Sequence, residues 1–402
     1  MSVRSTLRKA VVLAIRLTAR LVVVPLARLI EPFWKIRITH LWCARFGPLA
    51  YNTHLFVGER RIKGPERRTW RIFVGAKPVN RQLFDMWKRV LPVVESLGLS
   101  FACHAATDIL TRCPTFELLP NDIWAHPAVA QQPVLAFTAA EERRGKALLR
   151  ELGLGEAGWF VCFQARDPLY HNDVLKSGGD SGSHRNCAIE TFMPAVGEVT
   201  RRGGFAIRTG AAAERPVPET GNPRILDYTK RARSDFGDIY LGGRCRFLLA
   251  AATGSVHIPA LFGIPVAMVN ALPVMPTPIG PRSLYLPKLL RDKSSGRILS
   301  FFDLDKLRAF DYDYPGGAFL RFPREIGEAG LEAVDNSADD VLGICLDMLD
   351  RLDGVPPPPE MAECQAFFKE RFLGHKDSNR LAPDIGGRFL LAHPELLSGR
   401  NP

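Results

Sequence analysis

Thr253-Gly254-Ser255 sits between two apolar runs in RCRFLLAAATGSVHIPALFGIPVAMV, residues 244–269. Where a strand gives way to a helix, glycine lets the backbone come close to a ligand, and N–H and O–H groups can hold phosphate oxygens. The competing reading is plain packing, with Ser255 as an N-cap. Arginines recur in the same setting. Arg166 ends GWFVCFQAR and Arg208 ends GFAIRTG. An arginine at such an edge can grip a diphosphate in bidentate fashion, although Arg166 also has Asp167 and Asp235 as salt-bridge partners to choose from. Arg185 closes the polar, Gly/Ser-rich loop 170–186, whose length and composition read as a flap, and Asn186 beside it reads as a cap. Asp227 ends RILDYT, where a carboxylate accepts from ribose hydroxyls or caps a turn. Ser234 and Asp235 open a helix, with N-capping the stronger reading. His257 follows within one turn of the Thr-Gly-Ser bend, as a ligand contact or a buried, hydrogen-bonded histidine.

The elements that position these residues alternate. KIRITHLW (35–42), HLFVG (54–58) and RIFVGA (71–76) read as strands, and residues 80–98 carry apolar positions at helical spacing, ended by Gly98. A helix over 139–153 closes this first unit. The second unit begins with the strand at 158–166. A helix (188–203), strands at 204–210 and 224–229, a helix (234–243), a strand (244–251), a short helix and the strand IPVAMVN follow. Strands alternating with helices imply a parallel sheet covered on both faces, which explains why its strands are almost wholly apolar. The expected fold class is α/β, with two Rossmann-like domains, 33–153 and 154–335, preceded by an amphipathic helix (1–32) and followed by a helical tail (336–402). The tail opens with the capping box Ser337-x-x-Asp340. The Pro-rich piece GVPPPPE (354–360) reads as a stiff spacer between two of its helices.

The 402 residues carry a formal charge of +11, placed unevenly. Residues 1–71 hold 15 Lys/Arg against 3 Asp/Glu, and the rest hold 38 against 39. A nucleic-acid enzyme would spread its basic surface along the fold, so no nucleic-acid partner is expected. A basic N-terminus suits anionic lipid or an acidic partner. The first thirty residues are apolar but broken by Arg8, Lys9, Arg16, Arg20 and Arg28. Each arginine at mid-bilayer would cost about 2.5–3.5 kcal/mol. The segment therefore reads as a helix lying on an anionic membrane surface, kinked at Pro25, rather than as a span. The alternative is a basic helix packed on its own protein. Eight scattered cysteines without a C-x-x-C pair suggest neither disulfides nor zinc, and point to a reducing, cytosolic setting.

The blocks FVCFQARDPLY, HRNCAIETFMPAV, GGFAIRTG, RSDFGDIYLGGRCRFLLAAATGSVHIPALFGIPVAMVN and LPKLL, with LSFFD beyond, resemble a bacterial family of glycosyltransferases found with surface-polysaccharide genes. FGPLAYNTHLFVGER and AKPVNRQLFDMWKR extend the resemblance more weakly into the first half. The chain departs from the family pattern at Gln164, where His is usual, and at Thr253-Gly254. The Arg166 motif is also similar to that of distantly related fucosyltransferases. The resemblance implies a GT-B fold, with the ligand in the cleft between domains, a nucleotide-sugar donor, and a glycan or lipid-linked acceptor at the inner face of the membrane. Arg166, Arg185, Arg208, Asp227, Ser234, Asp235, Thr253, Gly254, Ser255 and His257 would bind the donor. An inverting transferase needs a base near the attacking hydroxyl. His54 and Asp167 are the candidates for that role, and Asn52 and Asn80 are placed on the acceptor side. No cofactor and no metal are expected. Asp311-Tyr312-Asp313 has the letters of a metal motif but lies in a Pro/Gly-flanked loop.

Two other classes fit the same layout: a nucleotide-sugar epimerase, which has no need of a basic membrane helix, and a non-catalytic relative acting as an assembly partner. Donor hydrolysis or transfer separates the transferase from the latter. A dinucleotide dehydrogenase is disfavoured, because no G-x-G-x-x-G opens either unit.

Overall fold

The computed structural model describes residues 3–66, 68–120, 133–155, 158–166, 185–210, 215–231, 233–272, 279–280, 282–310, 323–373 and 383–399. The chain divides into two compact units, Met1–Asp122 and Ile123–Pro402.

The first unit holds a parallel sheet of four strands, β1 (Lys35–His40), β2 (Thr69–Gly75), β3 (Val93–Glu95) and β4 (Phe116–Glu117), in the order β3-β2-β1-β4. The helix Arg81–Val90 presents Leu83, Phe84, Met86 and Trp87 to its core, and the Trp87 indole donates to the Leu49 carbonyl at 3.0 Å. This helix is shorter than the spacing predicts. Pro92 lacks the N–H that a continuing helix needs, and the chain turns into β3 and then a separate helix, Leu97–Ala105. HLFVG is a helix, not a strand: it lies within Thr53–Lys63, which follows a wide turn at Pro48–Asn52. A five-residue apolar run cannot be told from a buried helix segment by periodicity.

Val3–Thr18, Ala19–Val23 and Val24–Ile30 run on as helix, with one wider turn ahead of Pro25. By length and composition alone Ser5–Ile30 is also long and apolar enough to cross a membrane.

The second unit is built on β5 (Phe160–Gln164), β6 (Phe205–Arg208), β7 (Ile225–Asp227), β8 (Leu248–Ala251), β9 (Val266–Ala271), β10 (Leu284–Pro287) and, after the antiparallel pair β11 (Leu289–Asp292) and β12 (Leu331–Val334), β13 (Asp384–Ile385). The main sheet is wholly parallel, in the order β13-β10-β9-β8-β5-β6-β7. From β7 to β10 this is the doubly wound order 3-2-1-4-5-6, and strand order reverses between β5 and β8. Every residue of β8 and β9 is buried, as a central parallel strand requires.

Two sequence boundaries shift. The helix Ala139–Glu151 belongs to the second unit, where Leu148 joins the core and Gly145 lies so close to the Tyr240 ring that a Cβ would fall 1.9 Å from it. Residues 336–402 are not a tail. The helix Ala338–Leu352 opens with the expected Ser337/Asp340 capping box, buries Val341, Ile344, Cys345, Met348 and Leu349 in the main core, and β13 completes the sheet edge. The proline-rich spacer does separate two helices, Ala338–Leu352 and Pro359–Phe368.

Candidate functional site

In a doubly wound sheet the crevice for a ligand lies beyond the carboxyl ends of the strands, where strand order reverses. Here that point is marked by Gln164, the last residue of β5, and by the bend after β8. Gln164 pairs in register with Ala250. Beyond β8, Thr253 leads into the short turn Gly254–Val256 and the helix His257–Leu261. The Ser255 hydroxyl donates to Gln164 Oε1 at 2.6 Å, and Thr253 Oγ1 lies 2.7 Å from Ser255 Oγ. Ser255 has one proton and gives it to Gln164, so Thr253 is the donor to Ser255. The chain Thr253 to Ser255 to Gln164 stitches the reversal point together. Gly210, at φ +138°, lies beneath it, and a Cβ there would sit 3.3 Å from Gln164 Nε2. Ser255 thus bonds Gln164 rather than serving as an N-cap, and Thr253 makes no side-chain cap either. All of Thr253, Gly254, Ser255 and His257 are half-buried.

Arg166 lies two residues beyond β5, 9% exposed. Among the described residues its guanidinium has no carboxylate within ion-pairing distance. Burial first, and then the neighbouring Arg185 guanidinium, pull its pKa down to about 10. Two guanidinium groups, one of them largely buried, therefore lie near one another at the end of β5. The backbone there is firmly held: Cys187 N–H donates to the Arg166 carbonyl at 3.0 Å.

The segment carrying Arg185 is anchored at its other side by Lys288, just past β10. The buried Lys288 ammonium pairs with Asp335 and donates to the Asn186 carbonyl at 3.5 Å. Beside it, Asn270 at the end of β9 (φ +55°) and Asn336 exchange bonds: each backbone N–H donates to the other's side-chain oxygen, at 2.6 and 2.8 Å. Burial pushes the Cys187 thiol up to about 11, partly opposed by Lys288 and the Asn270 amide. Residues 185–187 therefore reach from the end of β5 to the ends of β9 and β10, across the end of β8. Lys288 and Asn270 were not singled out from the sequence. The signal that could have found Lys288 was a lysine inside the apolar run LYLPKLL.

Other candidates are engaged structurally. Arg208 is 2% exposed and pairs with Asp227 at 3.4 Å, its cross-strand neighbour in register, and also donates to the Arg215 carbonyl. The alternation of the pleat sends Arg208 to the face of Phe163, opposite Gln164. Asp227 accepts from Thr229 as well, capping the turn Tyr228–Lys230. Within the fold the two residues thus form an ion pair and a turn cap. Ser234 caps the helix Asp235–Arg244 through Gly237 N–H at 3.1 Å, as the stronger reading had it, and Asp235 is that helix's half-buried first residue. Asp167, the loop at 170–184 and Asp311-Tyr312-Asp313 lie outside the described residues. Among the described residues no group of three His, Cys, Asp or Glu could hold a metal ion.

In the first unit Asn80 is fully buried and caps Arg81–Val90 by accepting from Leu83 N–H at 2.8 Å. Asn52 is buried at the end of the turn Pro48–Asn52. His54 is 1% exposed, and neither ring nitrogen has a hydrogen-bond partner among the described residues. Burial first, and then the charge of Arg61, hold its pKa down at about 4. It is neutral at neutral pH, as a general base must be, but buried. Thr39 Oγ1 and Thr53 Oγ1 are likewise buried without partners.

No family model matches the chain, and no curated protein matches it. Among solved structures, E. coli ADP-heptose LPS heptosyltransferase II is 9% identical over 62% of this chain and 90% of its own, with a TM-score of 0.41. The glycosyl transferase family 9 protein from Veillonella parvula DSM 2008 is 10% identical over 79% and 98%, with a TM-score of 0.47. The dodecameric iron-containing heptosyltransferase TibC in complex with ADP-D-beta-D-heptose is 11% identical over 79% and 78%, with a TM-score of 0.38. None of the three is a fucosyltransferase. At these identities and superpositions the likenesses carry no functional argument, which rests on the site itself.

Proposed function

We propose that the protein is a glycosyltransferase of GT-B type that binds a nucleoside diphosphate sugar at the carboxyl edge of the second unit's sheet and transfers its sugar to a glycan or lipid-linked acceptor. One observation carries the reading: at the reversal point between β5 and β8, Arg166 is largely buried, lacks a carboxylate among the described residues and stands beside Arg185. A buried cation without a counter-charge is costly, and a bound diphosphate removes that cost. The Thr253–Ser255 bend lies just beyond the end of the adjacent strand β8, on the same sheet edge. Negative charge grows on the diphosphate as the glycosidic bond breaks, so the same cations stabilise the transition state more than the ground state. The motif resemblance over residues 158–302 supports the same class. His54 is the remaining base candidate among the described residues. Transfer is proposed to need no metal.

The test is isothermal calorimetry of the full chain against UDP, GDP, ADP, dTDP and CMP, followed by turnover of the sugar donor whose nucleotide binds, with and without EDTA. Binding of one nucleotide and EDTA-insensitive donor hydrolysis or transfer are expected. If none of the five binds, the site is not a nucleotide-sugar site; epimerisation of a free donor would point to the epimerase class.

A further inference from the structure

The first unit leaves a broad apolar surface uncovered. Along the N-terminal helix Leu13, Leu17 and Leu21 recur every four residues and face solvent, Leu21 being 68% exposed. Leu7, Val11, Leu26 and Leu29 are exposed as well. Further apolar side chains of the same unit are exposed beyond the helix. Phe33 and Trp34 follow it, and the Trp34 ring packs edge-on against Trp70 of β2, centroids 5.6 Å apart, with the two indoles 53% and 64% exposed. Leu97 and Leu99 are exposed on the helix Leu97–Ala105, against which the N-terminal helix packs. Arg8, Lys9, Arg20, Arg28 and Lys35 are exposed within the same stretch.

We infer that this face docks on an anionic lipid bilayer, with the helix lying in the plane of the interface. Leucines sink into the acyl boundary, indoles prefer the headgroup level, and arginine and lysine stems reach up to lipid phosphates. The charge is complementary, since residues 1–71 hold 15 Lys/Arg against 3 Asp/Glu. The helix lies on its own unit rather than leaving it. Arg16 pairs with Asp108 at 2.6 Å, Arg28 reaches the Arg112 carbonyl at 3.5 Å, and Ala19 is buried. A spanning helix would break all three contacts. A second copy is a poor occupant, because a two-fold interface sets the same basic surface against itself. The inference concerns the first unit alone and does not depend on the transferase reading.

The test is sedimentation of the full chain with vesicles of phosphatidylcholine alone and of equal parts phosphatidylcholine and phosphatidylglycerol. Binding to the anionic vesicles, weakened by high salt, is expected. The combined variant Leu13→Glu, Leu17→Glu, Leu21→Glu keeps its melting temperature, since all three side chains face solvent, and loses at least about tenfold in partitioning. Arg8→Gln, Lys9→Gln, Arg20→Gln lowers partitioning to anionic vesicles and leaves that to neutral vesicles unchanged. Equal partitioning of the leucine variant and the unaltered protein overturns the inference. So does resistance of bound protein to alkaline carbonate, which marks a span, or a concentration-dependent dimer that the leucine variant abolishes while no vesicle binds.

Discussion

Two arginines close neighbouring strands of the same parallel sheet, and their fates differ. Arg208, at the end of β6, is 2% exposed and meets Asp227 in register on β7. Arg166, just beyond β5, is nearly as buried but has Arg185 for a neighbour and no carboxylate among the described residues. The first arrangement is complete within the fold. The second brings two arginines together at the point where strand order reverses, with no carboxylate paired to Arg166 among the described residues. Burial of a charge is thus a poor guide to function by itself; what matters is whether the fold supplies the counter-charge. His54 in the first unit shares the second condition, as a buried polar group with no partner among the described residues.

The contrast predicts that Arg208→Ala is the costliest change. It leaves the Asp227 carboxylate without its cation and opens a cavity beneath β6 and β7, at about 3–5 kcal/mol. Urea denaturation measures it; a loss below about 1 kcal/mol would mean that the pair is not structural. Next comes His54. Its folded pKa, about 4, lies below its unfolded value, so the unfolded chain binds a proton that the folded one refuses. Its contribution to stability is present above the unfolded pKa, near 6.5, and is lost as pH falls towards 4, by about 2–3 kcal/mol. His40, held down to about 4 by burial and then by His104, adds to the same fall, so the His54 share is the difference between unaltered protein and His54→Gln. Equal pH profiles for the two would show that His54 is not buried neutral. Third, Arg166→Ala weakens nucleoside diphosphate binding by about 1.5–3 kcal/mol in calorimetry without the stability loss of Arg208→Ala. Unchanged affinity would break the contrast between the two arginines.

The sequence showed the strands from β5 to β9, because central parallel strands are continuous apolar runs bounded by turn residues. It also placed Arg166, Arg208 and the Thr-Gly-Ser bend at strand ends, where the sheet has them. It could not separate Arg166 from Arg208, because both end apolar runs and the partner of each is set by strand order. Asp227 becomes the neighbour of Arg208 only once β6 and β7 pair in register. The failures have the same origin. HLFVG is apolar in either conformation, and only burial against the core decides that it is helical. Asp384-Ile385 is too short to read as a strand without a neighbour to pair with. Lys288 and Asn270 show their importance only when the 185–187 segment folds back over the sheet edge.

The smallest expected effect tests the other half of the site. Ser255→Ala removes the bond to Gln164 Oε1 and should cost about 0.5–1.5 kcal/mol of stability. Its effect on ligand binding depends on proton placement. With Ser255 donating to Gln164 and Thr253 to Ser255, both hydroxyl protons are committed, and neither is available to a phosphate oxygen. Rotating the Gln164 carboxamide by a half-turn would present Nε2 to Ser255 Oγ and release the serine proton. A double-mutant cycle distinguishes the two states. If Ser255 only holds Gln164 in place, Ser255→Ala in a Gln164→Ala background causes no further loss of nucleoside diphosphate affinity. If the serine proton goes to a phosphate oxygen, the loss of about 1 kcal/mol persists in that background. In that case the bend and Arg166 hold the same anion from two adjacent strand ends. A full loss from either single change and none added by the second would instead confine the anion to the arginine side, and leave Thr253-Gly254-Ser255 as the clasp between β5 and β8.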